Sequence, residues 1–188
     1  MRGRPIVERV STRDRAIRAA VELLGTEGAH ALTHRRVDDR AGLPAGSTSN
    51  HFRTRAALVD GAADGIVGPE LRGLEAAVHP ADAAELVEQL AALVEQLTGP
   101  MRVATTARHV LFLEATHDAR VRERLSADRP AYVAGVAAVL ERLGAAEPRV
   151  AAEALAATCE GIILHRIARG DDSDPRPVLA VAVRGALG

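Results

Sequence analysis

Between Thr33 and Leu58 the chain punctuates itself so closely that few folds remain open to it. Thr33 can cap a helix with its hydroxyl, and Val37 and Ala41, four apart, give that helix an inward face while Arg35, Arg36 and Arg40 stay solvated. Gly42 stops the helix, because a positive φ costs glycine nothing. Leu43 can then turn back into the core, and Pro44 presets φ near about −65° for the next helix. That second helix spans roughly Ala45 to Phe52. Phe52 is its one large apolar side chain, and the remainder presents Ser47, Thr48, Ser49, Asn50 and His51. A core-filling helix would carry Leu or Val at these positions. Short hydroxyl, amide and imidazole groups instead suit close approach to base edges in a major groove about 12 Å wide.

The run Ala41-Gly42-Leu43-Pro44-Ala45-Gly46-Ser47-Thr48-Ser49-Asn50-His51-Phe52, followed by Thr54-Arg55-Ala56-Ala57-Leu58, resembles the TetR family of transcriptional regulators. Ser47, Phe52, Thr54, Arg55 and Leu58 match that family in kind. Ser49 and His51 stand where it usually has tyrosines that touch the DNA backbone, and Pro44 stands where a Ser or Thr would cap the recognition helix. The resemblance covers residues 12 to 60. It implies an all-α chain with a three-helix helix-turn-helix DNA-binding domain at 1–58 and a helical ligand-binding and dimerisation domain at 59–188. With the residue pattern, it places DNA contacts at Thr33, Arg35, Arg36, Ala45, Gly46, Ser47, Ser49, Asn50, His51 and Arg55.

The charge distribution points the same way. Residues 1–55 hold 11 arginines against 6 acidic residues, a surplus of +5, and residues 56–188 hold 13 against 19, a deficit of −6. Lysine is absent, so every side-chain cation outside histidine is an arginine, which meets phosphate with a fixed fork. Base composition of the source genome would equally explain the missing lysines, but not the polarity between the two parts. Hydrophobic residues are 47% of the chain and aromatics only 2%, which asks for closely packed helices built from Ala, Val, Leu and Ile. The single cysteine, Cys159, excludes an intramolecular disulfide and a multi-cysteine metal cluster. No signal-like leader and no run of about 18 apolar residues is present, so a cytoplasmic protein without membrane association is expected.

In chain order, residues 1–11 with Arg2, Arg4 and Arg9 form a basic leader, suited to a minor-groove arm or to a plain disordered tail. Ile17, Ala20, Val21 and Leu24 predict a first helix from Thr12, ended by Gly25 and Gly28. Thr54 caps a connecting helix with the stripe Leu58, Val59, Ala62 and Ile66, which Gly68-Pro69 should stop or kink. Asp82 opens a helix that closes at Gly99-Pro100, and another runs from about Met101 to Thr116. Residues 118–143 make one or two helices with a weak break at Arg129-Pro130. Glu147-Pro148 opens the most apolar helix, Val150 to Ala168, and Asp174-Pro175 opens a last one to about Leu187. No segment alternates as a strand would, so about six body helices stand behind the three-helix head.

Catalysis is not indicated. There is no Gly-x-Ser-x-Gly, no phosphate-cradling glycine loop and no His-Glu-x-x-His. Glu114-x-x-His117 has a metal-like spacing but no second copy, and so reads as a solvated helix end; no cofactor or metal is expected. Cys159 reads as a small core residue. The stripe Met101, Ala104, Arg108, Leu111, Phe112 and Ala115 sets an arginine in an apolar face, which demands either an internal acid or an anionic ligand. Thr105, Arg108, His109, Phe112, Glu114, Tyr132 and Thr158 are the candidate ligand residues, and the scarcity of aromatics favours an aliphatic or carboxylate-bearing effector. For a homodimer interface, Ala154, Ala157, Gly161 and His165 offer small residues at helical spacing, and Val133, Val136, Leu140 and Leu143 offer a matching stripe. The function expected is a sequence-specific repressor that binds double-stranded DNA at a palindromic operator and is released by a small-molecule effector. The alternative is an all-α protein-interaction module with a weakened or vestigial helix-turn-helix.

Overall fold

The computed structural model describes residues 10–188, of which 67 and 69–77 are described by their backbone alone. The arginines of the basic leader, Arg2, Arg4 and Arg9, lie outside the described residues. Ten α-helices follow one another: α1 (Thr12–Glu27), α2 (His34–Ala41), α3 (Ser47–His51), α4 (Arg55–Ala77), α5 (Ala83–Thr98), α6 (Arg102–Glu114), α7 (Ala119–Ser126), α8 (Arg129–Arg142), α9 (Pro148–Arg169) and α10 (Arg176–Leu187). No strand occurs among the described residues.

Several boundaries are set by side chains that replace missing helical partners. The Ser11 hydroxyl accepts from the Asp14 amide at 3.1 Å, Thr33 from Arg36 at 3.3 Å, Thr54 from Ala57 at 3.1 Å and Asp82 from Glu85 at 2.8 Å. Gly42 takes φ 60° to close α2, and Gly170 takes φ 66° to close α9. Asp118 caps α7, so residues 118–143 resolve into two helices whose break falls at Ala127 and Asp128, just before Arg129-Pro130.

Three local expectations need correction. Gly25 does not end α1, which runs on to Glu27; it lies where α1 presses against α6, and a Cβ there would overlap the Val103 carbonyl. Gly68-Pro69 does not stop the connecting helix, because α4 is continuous from Arg55 to Ala77. A proline deletes one ladder bond, and the turns before it are anchored by Leu58, Val59, Ala62, Ala63 and Ile66, all buried. The second helix of the helix-turn-helix starts at Ser47 rather than Ala45, since Gly46 is left-handed at φ 86° and the Pro44 carbonyl accepts from the Ser47 amide in a tight turn.

Two apolar clusters support the chain. The first joins α1, α2 and α4 with Ala107 and Leu111 of α6, Ala115 at the C-cap of α6, and Val121 of α7. The second gathers Leu86 of α5, Val133 and Leu140 of α8, Ala151, Ala152 and Leu155 of α9 and Val183 of α10. The inner face of α6 therefore belongs to the same core as the helix-turn-helix.

Candidate functional site

α3 has five residues and almost no apolar anchor, so it cannot hold its own position. It is fixed by α2 instead. The Asp38 carboxylate, 3% exposed, accepts from the Gly46 amide at 2.8 Å through one oxygen. Its other oxygen takes the Thr48 amide at 2.8 Å and the Thr48 hydroxyl at 2.5 Å. Asp38 thus performs from α2 the capping that Pro44 cannot. Burial pushes its carboxyl upward, but the bonds from Thr48 and Gly46, with His34 nearby, outweigh this and hold it below the ordinary carboxylate range. At the other end of α3 the His34 ring donates from Nε2 to the Phe52 carbonyl at 2.6 Å. Phe52 is buried and carries the Arg13 guanidinium 5.5 Å from its ring centre.

These locks leave Ser49, Asn50 and His51 exposed on the outer side of α3, with Ala45 and Gly46 exposed before it. Ser47 is half-buried and its hydroxyl donates to the Pro44 carbonyl at 2.6 Å. Thr48, expected to point outward, is fully buried and bound to Asp38. The arginines separate too. Arg36 pairs with Glu27, and Arg40 bridges Glu22 and Glu27, each at 2.7 Å, so these two are not simply solvated. Arg35 is exposed, and Arg55, also exposed, donates to the Ala29 carbonyl at 3.1 Å. Thr33 spends its hydroxyl on the α2 cap.

In the body, Arg108 is 7% exposed and forms a two-pronged pair with Glu160 of α9, at 2.5 Å and 3.2 Å. His109 lies between the Thr105 carbonyl at 2.8 Å and the Glu160 carboxylate at 3.3 Å. Burial pushes Glu160 upward, yet the hydrogen bonds from His109 and Arg108 and the Arg108 charge together bring it down to about 2. Phe112 lies beneath Arg108, 5.3 Å from ring centre to guanidinium carbon.

The pair forms part of the wall of a cavity of about 260 Å³, which also takes in Phe112, Tyr132, Cys159 and, at its rim, Asp128 and Arg129. A second cavity of about 300 Å³ adjoins it, sharing Tyr132, Cys159, Leu93 and Ala156, and is walled by aliphatic side chains of α5, α8 and α9. Of the expected ligand residues, Arg108, Phe112 and Tyr132 meet at the first cavity. Thr105 is fully buried, His109 stands behind Glu160, Thr158 donates to the Ala154 carbonyl and Glu114 is exposed; none of these four lines either cavity. Sequence reasoning misses Glu160 as a cavity residue because an acid in an apolar helix reads as the solvated side of that helix until its partner is known. Cys159, expected in the core, also faces the cavities; burial, then the Glu160 charge, pushes its thiol up to about 11.

The expected dimer stripe on α8 is corrected. Val133 and Leu140 are buried in the chain's own core with Val136 and Leu143 packed against it, so this face is already covered. On α9, Ala154, Ala157 and His165 are not buried and Gly161 has open space around it, with Val150 and Leu164 at 60% and 45% exposure. The neighbouring α10 exposes Val178 and Val181 at 53% and 61%.

A three-helix head that presents one short polar helix, backed by a hollow helical body, defines a helix-turn-helix DNA-binding protein. Residues 16–62 match the family described as bacterial regulatory proteins, tetR family, and residues 81–188 match the tetracyclin repressor-like C-terminal domain; the chain belongs to the TetR family of transcriptional regulators. It is a regulator, not an enzyme. Among similar solved structures, a transcriptional regulator from Rhodococcus sp. Rha1 superposes at TM-score 0.82 and 22% identity, over 94% of this chain and 96% of that one. A TetR-family member from Streptomyces coelicolor A3 gives 0.75 and 26%, over 95% and 99%. The multidrug binding protein EbrR complexed with ethidium gives 0.72 and 27%, over 95% and 99%. A comparison with curated proteins yields no match. No helix among the described residues is long and apolar enough to cross a membrane.

Proposed function

We propose that this regulator is a homodimeric repressor that reads a palindromic operator with α3 and releases it when a small molecule enters the body. Asn50, with Ser49 and His51, reads base edges, while Arg35 and Arg55 hold phosphates. The observation that carries the regulatory part is the double allegiance of α6: Ala107, Leu111 and Ala115 lie in the core of the head, and Arg108 and Phe112 lie on the cavity wall one face away. A ligand that displaces that wall strains the packing that sets the height and angle of the head. EbrR, whose structure holds ethidium, supports a ligand site in such a body.

Dimerisation is assigned to the exposed faces of α9 and α10. Ala154, Ala157 and Gly161 permit close approach of a partner helix, Val150, Leu164, Val178 and Val181 supply apolar area, and His165 lies at the edge. Two-fold pairing would place two recognition helices on successive major grooves, about 34 Å apart.

The deciding experiment is a gel shift with the protein's own promoter region across a salt series. A retarded complex of dimer stoichiometry, weakening steeply with salt yet resisting nonspecific competitor, is expected. Equal competition by any duplex would refute operator recognition and favour a body that works through protein contacts.

A further inference from the structure

Beyond the presence of a ligand, the cavities indicate what kind of ligand it is, an inference that rests on the reading of the body as an effector domain. We propose that the two cavities form one elongated site for an uncharged aliphatic amphiphile, its hydrocarbon tail lying between α5, α8 and α9 and its hydrogen-bonding, non-ionic head against Tyr132 and Cys159.

The tail follows from the second cavity. Its wall is made by Leu86, Leu90, Val136, Val139 and Leu155, and among the described residues that line it the one aromatic ring is that of Tyr132 and the one charge is Asp128, at the edge shared with the first cavity. At about 300 Å³ it accommodates roughly ten heavy atoms, taking the ~30 Å³ of a water molecule as the unit. Gly135 lies at its exposed edge, where a Cβ would meet nothing within 4 Å beyond its own stretch of helix. A flat ring system gains little from such a wall, while a flexible chain fills it and buries every methylene.

The head follows from the charges of the first cavity. Arg108 and Glu160 are both ionised and committed to each other by two hydrogen bonds. An anionic head would have to draw Arg108 away and leave Glu160 facing the cavity with His109 alone; a cationic head would compete with Arg108 for the same carboxylate. Either exchange breaks a two-pronged pair whose Arg108 end is buried, although the Glu160 side chain keeps 43% of its exposure. Asp128 and Arg129 are adjacent, opposite in sign and exposed at the rim, so neither offers a buried counter-charge. The polar groups left over are neutral ones where the cavities meet. The Tyr132 hydroxyl forms no hydrogen bond with another described residue. Burial raises its pKa, as it raises that of the neighbouring Cys159 thiol, so both enter the site as protonated donors. An alcohol, ester or amide satisfies them without disturbing the ion pair.

The test uses probes that share one tail and differ in head charge: decan-1-ol, decanoate and decyltrimethylammonium, with hexan-1-ol as the short control. Affinity is measured by calorimetry on the full-length protein without DNA, and operator release is measured separately by anisotropy. Decan-1-ol is expected to bind at least about tenfold more tightly than either ion and than hexan-1-ol. Gly135→Phe, which fills the second cavity and replaces a helical glycine, should erase the advantage of the longer alcohol while melting no lower than wild type. Tighter or equal binding of an ionic probe, no binding by any probe, or an unchanged chain-length preference in Gly135→Phe would each overturn the assignment. Release of operator by an ionic probe but not by decan-1-ol would overturn this ligand class and leave effector control standing. Tight decan-1-ol binding without weaker DNA binding would establish the site and overturn effector control.

Discussion

Asp38 and Thr48, ten residues apart and on different helices, share two hydrogen bonds to one carboxylate oxygen, 2.8 Å from the Thr48 amide and 2.5 Å from its hydroxyl. With the third bond, from the Gly46 amide, this carboxylate turns a five-residue polar segment into a helix of fixed orientation. Asp38→Ala strands three donors, the two of Thr48 buried, and is expected to cost about 2–4 kcal/mol of unfolding free energy, whereas Thr48→Val removes one of them and costs about 1–2 kcal/mol. Urea titrations check both. Operator affinity should fall with Asp38→Ala even below the unfolding range, because the reading helix loses its anchor while the rest of the head remains folded; wild-type stability and affinity in Asp38→Ala would remove this role.

Acid should unfold the protein through its paired carboxylates. Asp38 and Glu160 both have folded-state pKa values below their ordinary ones, so at mildly acid pH the unfolded chain binds more protons than the folded one. Their contribution is complete above the unfolded pKa and is lost as pH falls through the folded value. For Glu160 that window runs from 4.5 down to about 2. Urea midpoints taken through this range should decline for wild type and decline less for Glu160→Gln, which cannot titrate. Parallel curves for the two proteins would show that Glu160 is not linked to stability in this way.

Gly161 occupies an open position on the outer face of α9, so Gly161→Arg meets no obstacle within its own chain. Sedimentation at micromolar concentration should show a monomer, with unchanged helical content and operator affinity reduced at least about tenfold, because a single head forfeits the second half-site. A dimeric Gly161→Arg that still binds DNA would move the interface elsewhere.

What the sequence discloses, and what it hides, divides along the range of the interactions. Caps at Thr33, Thr54 and Asp82 and the stop at Gly42 act within four residues, so the helix borders they set are readable from neighbouring letters. The polarity of Ser49, Asn50 and His51 likewise singles out α3 through residue chemistry alone. Asp38–Thr48 and Arg108–Glu160 depend on how helices are brought together across 10 and 52 residues, and no periodicity carries that information. Glycine and proline mislead where tertiary packing prevails: Gly25 marks a helix contact rather than an end, and Pro69 lies inside α4. The stripe on α8 is legible as apolar, but apolarity does not say whether the covering surface belongs to the same chain or to a partner, and here Val133 and Leu140 are buried in the chain's own core, with α9 as the main neighbour of α8.

Base reading by α3 in a two-fold operator is tested by selecting bound duplexes from a random pool. Wild type should enrich an inverted repeat whose half-site centres lie about 34 Å or a multiple of that apart. Asn50→Ala should retain the repeat spacing but lose preference at one base pair in each half, a change of about 1–3 kcal/mol in discrimination. Arg35→Ala should instead weaken every sequence alike and lower the salt dependence. A pool that shows no enriched repeat, or an Asn50→Ala protein that selects the wild-type motif with the same base ratios, would show that α3 does not read the operator through Asn50.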